Sequence, residues 1–445
     1  MNSVLVFSHS ITSRLQYIID FFSQYYGLSW KLTSDEERFR NATDTGKINY
    51  GYHRIDASEI FIHSHALLFE SSVRQVKVEC FEKNGYKAFF RAEGDLGFDI
   101  FAAVFFLITR YEEYLPYKKD IYGRYAHENS VAFKENFLDL PLVNIWLEDF
   151  KKLLKEKNPA LTIQDLKFSF LPTYDIDIAW SFRNKGLKRN FGGILQMLFK
   201  GHIRKVIHRT RVIRRKKPDP FDSYEWMDQL HKQFNLKPIY FFLVAKEKGK
   251  YDKNIDVTNA EYRQLVRNIS STYTIGLHPS WASGDFPSLL TKEKATLEQI
   301  SNQSISKSRQ HYLRFMLPST YRKLIALELI NDYSMGYGSI NGFRASIASS
   351  YYWYDLKNEE KTKLHIHPFC FMDANSYYEQ KFSAEAAFEE LMQYYQRIKS
   401  VNGTMITIWH NNFLGTDKEF IGWKEVYQKF ISSLQADSIS GRSVD

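Results

Sequence analysis

Short apolar runs alternate along the chain with longer segments whose apolar positions recur at helical spacing. Residues 4–7 predict a first strand that leads into a helix, and later apolar runs predict strands at 168–171, 238–243, 273–277 and 405–409. Helical spacing recurs between several of these runs, for example at 260–269 and 384–401. Strands that alternate with helices predict an α/β fold built on a parallel sheet or barrel.

The pattern also indicates where the chain divides. Residues 98–114 are apolar on most sides for three turns and predict a buried core helix. Residues 155–159 are charged and end in proline, which marks a candidate linker. We therefore predict a smaller mixed α/β accessory domain at 1–160, a larger α/β domain at 161–435 and a flexible tail at 436–445.

Composition narrows the class of protein. The chain has 445 residues, of which 44% are hydrophobic and 25% charged, as in soluble globular proteins. These values exclude a mainly disordered chain, a collagen and a long coiled coil. The aromatic content of 16% fits large cores, and also sugar-binding or membrane-facing surfaces.

Cysteine content and the apolar runs bear on the cellular compartment. Cys80 and Cys370 are the only cysteines, which excludes a disulfide framework and a zinc site built from cysteines. We expect both to be reduced thiols in the cytosol. The N-terminal residues do not resemble a signal peptide, and the longest apolar run, 100–108, is too short to cross a bilayer. We expect a cytoplasmic protein, with contact to the inner membrane surface as an option.

One segment has a strongly biased charge. Residues 181–218 contain 13 Lys and Arg residues and no Asp or Glu, whereas the whole chain has a net charge of +9. The rest of the chain is therefore net acidic, which argues against binding to nucleic acid. The segment is either a solvated face or an anion-binding surface, and its apolar stripes at 191–198 and 203–207 predict weak, salt-sensitive contact with an anionic membrane.

Several residues with chemical potential follow the predicted strands. Asp175 and Asp177 would share one face if their strand continued, so one carboxylate could bind a cation while the other takes a proton. The alternative is a loop Asp that caps a helix. His278 and His410 each end a strand, where they are candidate ligands or acid/base groups, or buried core histidines.

Two further clusters combine basic side chains. Arg309 and His311 lie together, and Arg344 could orient a carboxylate or hold an oxyanion, unless it forms a surface salt bridge. Each cluster is weak alone. Together they predict several Asp, His and Arg side chains at one edge of an α/β unit.

The order of these clusters resembles the polysaccharide deacetylase (NodB-homology) superfamily, in a long bacterial form with an additional N-terminal α/β domain. The resemblance covers residues 165–435 and rests on the sequences PTYDID, IGLHPS, SRQHYL, DYSMGY followed by GFRA, and WHN. It implies a C-terminal distorted (β/α) barrel, with a basic insertion at 181–218. It also implies metal-dependent removal of acetyl groups from an N-acetylated glycan or glycan precursor. If the basic segment 181–218 is an anion-binding surface, the substrate could be a lipid-linked sugar, whose phosphates the segment would bind.

The resemblance also implies roles for individual residues. Asp175 would be the general base, Arg309 would orient it, and His410 would be the general acid. Asp177 and His278 would bind the metal ion, with zinc as the favoured ion. The superfamily's second histidine ligand falls on Ala282, so His311 is the candidate for the missing ligand. Asp373 lies in a matching pattern, but no role is implied for it.

Two other functions remain open from the sequence. A related barrel with an Asp/His metal site could cleave glycosidic bonds. A catalytically degenerate barrel could bind carbohydrate without turnover. Metal content would distinguish the degenerate barrel from the enzymes, and release of acetate or of reducing ends would distinguish the two hydrolases.

Overall fold

The computed structural model describes residues 3–43 and 46–440 and shows two parallel-rich sheets. The first sheet has the strand order β2-β1-β3-β4, and all its pairs are parallel. Its strands are β1 (Ser3–Phe7), β2 (Ser29–Thr33), β3 (Gly46–Gly51) and β4 (Ile60–His63). Strand β1 confirms the predicted first strand. A small antiparallel hairpin follows, formed by β5 (Phe81–Lys83) and β6 (Tyr86–Ala88).

The second sheet has nine strands in the order β12-β13-β11-β10-β9-β8-β7-β15-β14. Only the β12–β13 pair is antiparallel. Its strands are β7 (Ser169–Ile176), β8 (Ile239–Leu243), β9 (Thr274–His278), β10 (Lys307–Ser308), β11 (Asn331–Asp332), β12 (Tyr351–Asp355), β13 (Glu360–Ile366), β14 (Phe371–Met372) and β15 (Thr404–His410). Strands β7, β8, β9 and β15 confirm the four predicted strands of this region.

The hydrogen-bonded ladder of the second sheet ends at β12 and β14 among the described strands. The chain after β11 nevertheless reaches the chain just before β14, because the Phe369 N–H donates to the Met335 carbonyl at 3.2 Å. The Gly342 N–H donates to the Cys370 carbonyl at 2.9 Å. The fold is therefore a mixed α/β structure with a large parallel sheet, and loop contacts connect β11 with β14 in place of a closed ring of strands.

Thirteen α-helices surround the sheets in the described part of the chain. They are α1 (Ser13–Tyr26), α2 (Glu36–Asn41), α3 (Ile100–Ile108), α4 (Val131–Lys134), α5 (Leu142–Lys157), α6 (Gly186–Phe199), α7 (Ile203–Ile213), α8 (Tyr224–Gln233), α9 (Ala260–Ser270), α10 (Pro287–Ser301), α11 (Ser319–Ala326), α12 (Ala384–Lys399) and α13 (Trp423–Ser440). None of them combines the length and apolar character that a bilayer crossing requires.

Two helices differ from the prediction. The core helix predicted at 98–114 is α3, which is buried along its whole length but stops at Ile108. Arg110 then adopts a left-handed conformation with φ 55° and turns the chain into a 3₁₀ helix at Tyr111–Tyr114. At the C-terminus α13 continues to Ser440, so residues 436–440 of the predicted flexible tail are helical, and residues 441–445 lie outside the described residues.

The two sheets share one continuous hydrophobic core. The rings of Tyr17 and Phe105, from the N-terminal region, pack against Tyr354 of β12 at centroid distances of 4.9 and 5.4 Å. Arg14 forms an ion pair with Glu359 across the same boundary, with Nε and Oε2 2.8 Å apart. The expected linker near residue 160 therefore separates two sheets whose cores are in contact.

Candidate metal and catalytic site

The site lies at the carboxyl ends of β7, β9, β10 and β15. Strand pairing places Asp175 of β7 opposite His410 of β15. Ser308 of β10 pairs with Leu277 of β9, so Arg309 follows β10 directly beside His278. Because parallel strands end at one edge of the sheet, residues from four separate segments meet there.

Asp177, His278 and His311 form the centre of the site. One ligand atom from each residue lies within 4.8 Å of the others. Asp177 Oδ1 lies 3.1 Å from His278 Nε2, and Asp177 Oδ2 lies 3.5 Å from His311 Nε2. The structure therefore brings together the three residues predicted as metal ligands, including His311, whereas Ala282 lies in a 3₁₀ helix, Ala282–Gly284, and offers no ligand atom.

Both imidazoles are oriented by acceptors on their other nitrogen. His278 Nδ1 lies 2.6 Å from the Arg309 carbonyl oxygen, which can only accept, so Nδ1 carries the proton. His311 Nδ1 lies 2.9 Å from Oδ1 of the buried Asp252. Each histidine therefore directs Nε2 towards Asp177, in the arrangement by which a carboxylate or carbonyl fixes a metal-binding histidine.

The donor set fits a divalent cation. Asp177 Oδ1 is buried and accepts no hydrogen bond, although His278 Nε2 is close to it. One carboxylate and two imidazoles are ligands that zinc and similar ions accept. The oxygen without a partner and the two converging nitrogens would all be satisfied by one cation.

The charges around Asp177 affect two pKa values strongly. Burial opposes ionisation of Asp177, but the positive charge of His311 and the proximity of His278 outweigh it and hold the pKa of Asp177 well below its ordinary range. Burial also lowers the pKa of His311, but Asp177 and Asp252 outweigh it and raise this pKa to about 9. The site therefore attracts positive charge at its centre.

Asp175 lies beside this centre and is held by Arg309. Arg309 Nη1 donates to Asp175 Oδ1 and to Thr173 Oγ1, both at 2.8 Å. The guanidinium is fully buried, packs over the Phe241 ring at 4.4 Å and donates from Nε to the Tyr333 carbonyl. The other carboxylate oxygen, Oδ2, lies 3.7 Å from His278 Nε2, on the side of the ligand cluster.

His410 ends β15, the strand beside β7, and its Nε2 lies 3.8 Å from Asp177 Oδ2. Asp373 accepts from His410 Nδ1 at 2.6 Å and from the His410 backbone N–H at 2.7 Å. Burial lowers the pKa of His410, but the charge of Asp373 outweighs it and raises the pKa to about 10. His410 is therefore a protonated imidazolium at neutral pH and can donate a proton.

Arg344, predicted as a catalytic residue, lies away from the ligand cluster. It is buried and forms a two-pronged ion pair with Glu113, with Nε to Oε1 at 2.8 Å and Nη2 to Oε2 at 2.6 Å. Its Nη1 donates to the Gly336 carbonyl. These contacts join the two sheets, and Arg344 makes none with the ligand cluster. The histidines His365 and His367 also contact other groups, including Tyr352 and Asn331.

Two residues of the site have roles that the sequence did not reveal. Asp252 lies in the segment after β8. An acid that follows a parallel strand is a candidate site residue, and this position could have indicated its role. Asp373 was noticed but had no assigned role, because its partner His410 is 37 residues away in the chain.

Aromatic side chains border the site on one side. Tyr251 and Trp281 pack with ring centroids 4.1 Å apart, and Tyr312 lies 5.1 Å from Tyr251. Tyr122, from the N-terminal region, joins them at 5.4 Å from Tyr312. The backbone N–H of Trp281 donates to Asp252, and Tyr312 directly follows His311, so this aromatic border adjoins the ligand cluster.

Comparison with known proteins gives distant similarities only. Residues 4–159 match a family described as a family of unknown function (DUF7033). None of the curated proteins matches the chain. The matched residues lie within the region, 1–160, that the sequence predicts as an accessory domain.

Solved structures resemble the larger part of the chain. A candidate polysaccharide deacetylase from Mycobacterium smegmatis has 13% identity, a TM-score of 0.38 and coverage of 61% of this chain and 85% of that one. The allantoinase PuuE has 10% identity, a TM-score of 0.39 and coverage of 61% and 85%. A polysaccharide deacetylase from Bacillus cereus has 11% identity, a TM-score of 0.27 and coverage of 61% and 89%. At these TM-scores the similarities do not assign a function.

Proposed function

We propose that the chain is a metal-dependent hydrolase that removes acetyl groups from an N-acetylated glycan or glycan precursor. The observation that carries the proposal is the convergence of Asp177, His278 and His311 beside the Asp175–Arg309 pair and His410. A cation site flanked by one carboxylate and one protonated imidazole is what amide hydrolysis by water requires.

Asp177, His278 and His311 would hold the divalent ion, with zinc favoured by the mixed nitrogen and oxygen ligands. The bound ion would supply a Lewis acid that acidifies water and polarises the amide carbonyl. Asp252 and the Arg309 carbonyl keep the two histidines oriented for this role.

Asp175 accepts the proton of the attacking water. Arg309 holds one of its carboxylate oxygens and leaves the other directed towards the ligand cluster. The tetrahedral adduct then collapses as His410 donates its Nε2 proton to the departing amine nitrogen. Asp373 stabilises the protonated form of His410 beforehand, so the acid is ready when the carbon–nitrogen bond breaks.

The aromatic border favours a sugar as the group attached to the amide. The rings of Tyr122, Tyr251, Trp281 and Tyr312 contact one another, and the Tyr312 ring lies 4.7 Å from the His311 ring. Pockets that orient small polar ligands commonly combine such rings with a few polar groups. The distorted (β/α) barrel implied by the sequence is the architecture that we propose for the second sheet.

Acetate release from N-acetylated oligosaccharides, measured with zinc-loaded and chelator-treated protein, tests the proposal. Wild type should release acetate only when loaded, and Asp175→Asn should lose about 10²–10⁴-fold in rate while still binding zinc. Asp20→Asn, a change at an exposed ion pair with Lys361, serves as the matched control.

Three outcomes would contradict the proposal. Release of reducing ends without acetate would identify a glycoside hydrolase. Oligosaccharide binding with neither product would identify a carbohydrate-binding protein. Full activity of Asp175→Asn would remove this carboxylate from the mechanism.

A further inference from the structure

Helices α6 and α7 form an antiparallel hairpin that extends from the second sheet. Arg209, near the end of α7, donates to the Arg189 carbonyl and to Asn190 Oδ1, near the start of α6. Gly193 permits this close approach, since a side chain there would overlap the Arg209 guanidinium. The hairpin therefore has a defined internal packing of its own.

Acidic residues anchor only the base of the hairpin. The buried Asp219 accepts the backbone N–H groups of Ser181, Phe182 and Arg183. Glu261 pairs with Arg183 and with Arg215 at the two ends of the segment. Beyond this base, the helices carry no acid that could neutralise their cations.

The outer surface of the hairpin is strongly apolar. Of the 17 exposed large apolar side chains in the described part of the protein, eight lie on these two helices. Leu187 is 90% exposed and Phe199 is 88% exposed. The eight are Leu187, Phe191, Leu195, Leu198, Phe199, Ile203, Ile207 and Ile213. Such a concentration of exposed apolar side chains on two packed helices indicates an interaction surface.

Cations are exposed on the same two helices and directly after them. Seven of them have no ion-pair partner among residues 3–43 and 46–440. They are Lys200, Arg204, Lys205, Arg211, Arg214, Lys216 and Lys217. The hairpin thus combines exposed apolar side chains with a dense, unneutralised positive charge.

We propose that the α6–α7 hairpin binds the surface of an anionic lipid bilayer. An amphipathic helix with apolar side chains on one face and Lys or Arg beside them lies in the interface, where the apolar groups enter the acyl boundary and the cations meet lipid phosphates. The absence of acids from the hairpin makes a negatively charged surface the complementary partner. The inference does not depend on the catalytic proposal, because it concerns lipid and not sugar.

Co-sedimentation of the full chain with vesicles tests this inference. The vesicles contain phosphatidylcholine alone or mixed with phosphatidylglycerol, and each is used at low and high salt. Wild type should sediment with the mixed vesicles, and salt should weaken the binding because it screens the cations.

Two variants separate the charge from the apolar surface. The charge variant carries Lys200→Gln, Arg204→Gln, Lys205→Gln and Arg211→Gln. Because each cation near an anionic surface contributes about 1 kcal/mol, the loss of four cations should weaken partitioning by about a thousandfold. The apolar variant, with Leu187→Ser, Phe199→Ser and Ile203→Ser, should lose the binding that remains at high salt.

Matched variants control for total charge and total apolar exposure. The charge control is Lys155→Gln, Lys157→Gln, Lys292→Gln and Lys418→Gln. The apolar control is Ile11→Ser, Phe286→Ser and Ile421→Ser, all at exposed positions elsewhere. Both controls should bind like wild type.

Three results would overturn the inference. The first is failure of wild type to sediment with phosphatidylglycerol vesicles, and the second is equal binding by wild type and both hairpin variants. The third is a wild-type protein that does not bind vesicles but forms a dimer in light scattering, which the apolar variant abolishes, since a second copy would then cover the apolar side chains.

Discussion

Asp252 and His311 lie 59 residues apart in the chain, yet Asp252 Oδ1 and His311 Nδ1 are 2.9 Å apart in the fold. The same carboxylate oxygen accepts a hydrogen bond from the backbone N–H of Trp281 at 2.8 Å. One buried acid therefore orients a metal-binding histidine and fixes the loop that carries part of the aromatic border. A change at Asp252 should alter both.

Replacement of Asp252 by Asn should weaken zinc binding by about 10- to 100-fold. His311 would lose the carboxylate that orients its ring and makes its Nε2 a stronger ligand. Titration calorimetry of zinc into the metal-free protein measures the effect. Asp20→Asn is the control and should bind zinc like wild type. Equal zinc affinity in Asp252→Asn would limit Asp252 to holding the Trp281 loop.

Replacement of Asp373 by Asn should lower kcat for acetate release by up to about 10²-fold and leave zinc affinity and KM almost unchanged. His410 would lose the carboxylate that stabilises its protonated form, so proton donation to the amine would become slower. Steady-state kinetics with His410→Ala as the reference checks this. Loss of zinc affinity in Asp373→Asn would indicate a role for Asp373 in the ligand cluster.

Replacement of Tyr122 by Ala should raise KM for an N-acetylated oligosaccharide by about two- to tenfold with little change in kcat, since an aromatic contact contributes about 0.5–1.5 kcal/mol. Tyr122 borders the site but touches none of the ligand residues. Tyr52→Ala, at a 60% exposed tyrosine that directly follows β3, is the control. Unchanged KM in Tyr122→Ala would exclude this ring from the substrate path.

Replacement of Glu113 by Gln should destabilise the protein by about 3–5 kcal/mol, because it leaves the buried guanidinium of Arg344 without its counter-charge and leaves Arg110 with Glu112 alone. Urea denaturation measures the loss. Glu36→Gln, at an exposed ion pair with Arg40, should cost less than about 1 kcal/mol.

The stabilisation from Glu113 should depend on pH in a definite direction. Burial raises the pKa of Glu113, but Arg344 and Arg110 outweigh it and hold this pKa below its ordinary value. The contribution is therefore present above the pKa of an unfolded Glu and is lost as pH falls through the lower folded pKa. Denaturation curves at neutral and acidic pH should show the difference between wild type and Glu113→Gln narrowing in acid.

Local patterns in the sequence predicted the strands that carry the site. The apolar runs located β7, β9 and β15, and the polar residues at their ends gave Asp175, His278 and His410. This succeeds because a buried parallel strand needs a continuous apolar run, and its end is visible as the first polar residue.

Pairings between distant segments were not predictable in the same way. Asp373 and Asp252 act through histidines in other segments, and no local pattern specifies such partners. Arg344 was predicted as a site residue, but it pairs with Glu113, which is 231 residues away in the chain, and no local pattern around Arg344 indicates that partner. The early end of α3 likewise depends on Arg110, whose left-handed conformation is stabilised by ion pairs with Glu112 and Glu113.

The ion pair of Glu113 and Arg344 has a consequence for how this chain can be divided or recombined. A fragment that begins near residue 160 would keep the arginine but lose its acid, and would also expose the Tyr354 ring, against which Tyr17 and Phe105 pack. A chimera that takes its N-terminal region from a related chain would need an acid at the position of Glu113. The N-terminal sheet and the candidate catalytic sheet are therefore expected to be inherited, expressed and engineered together as one unit.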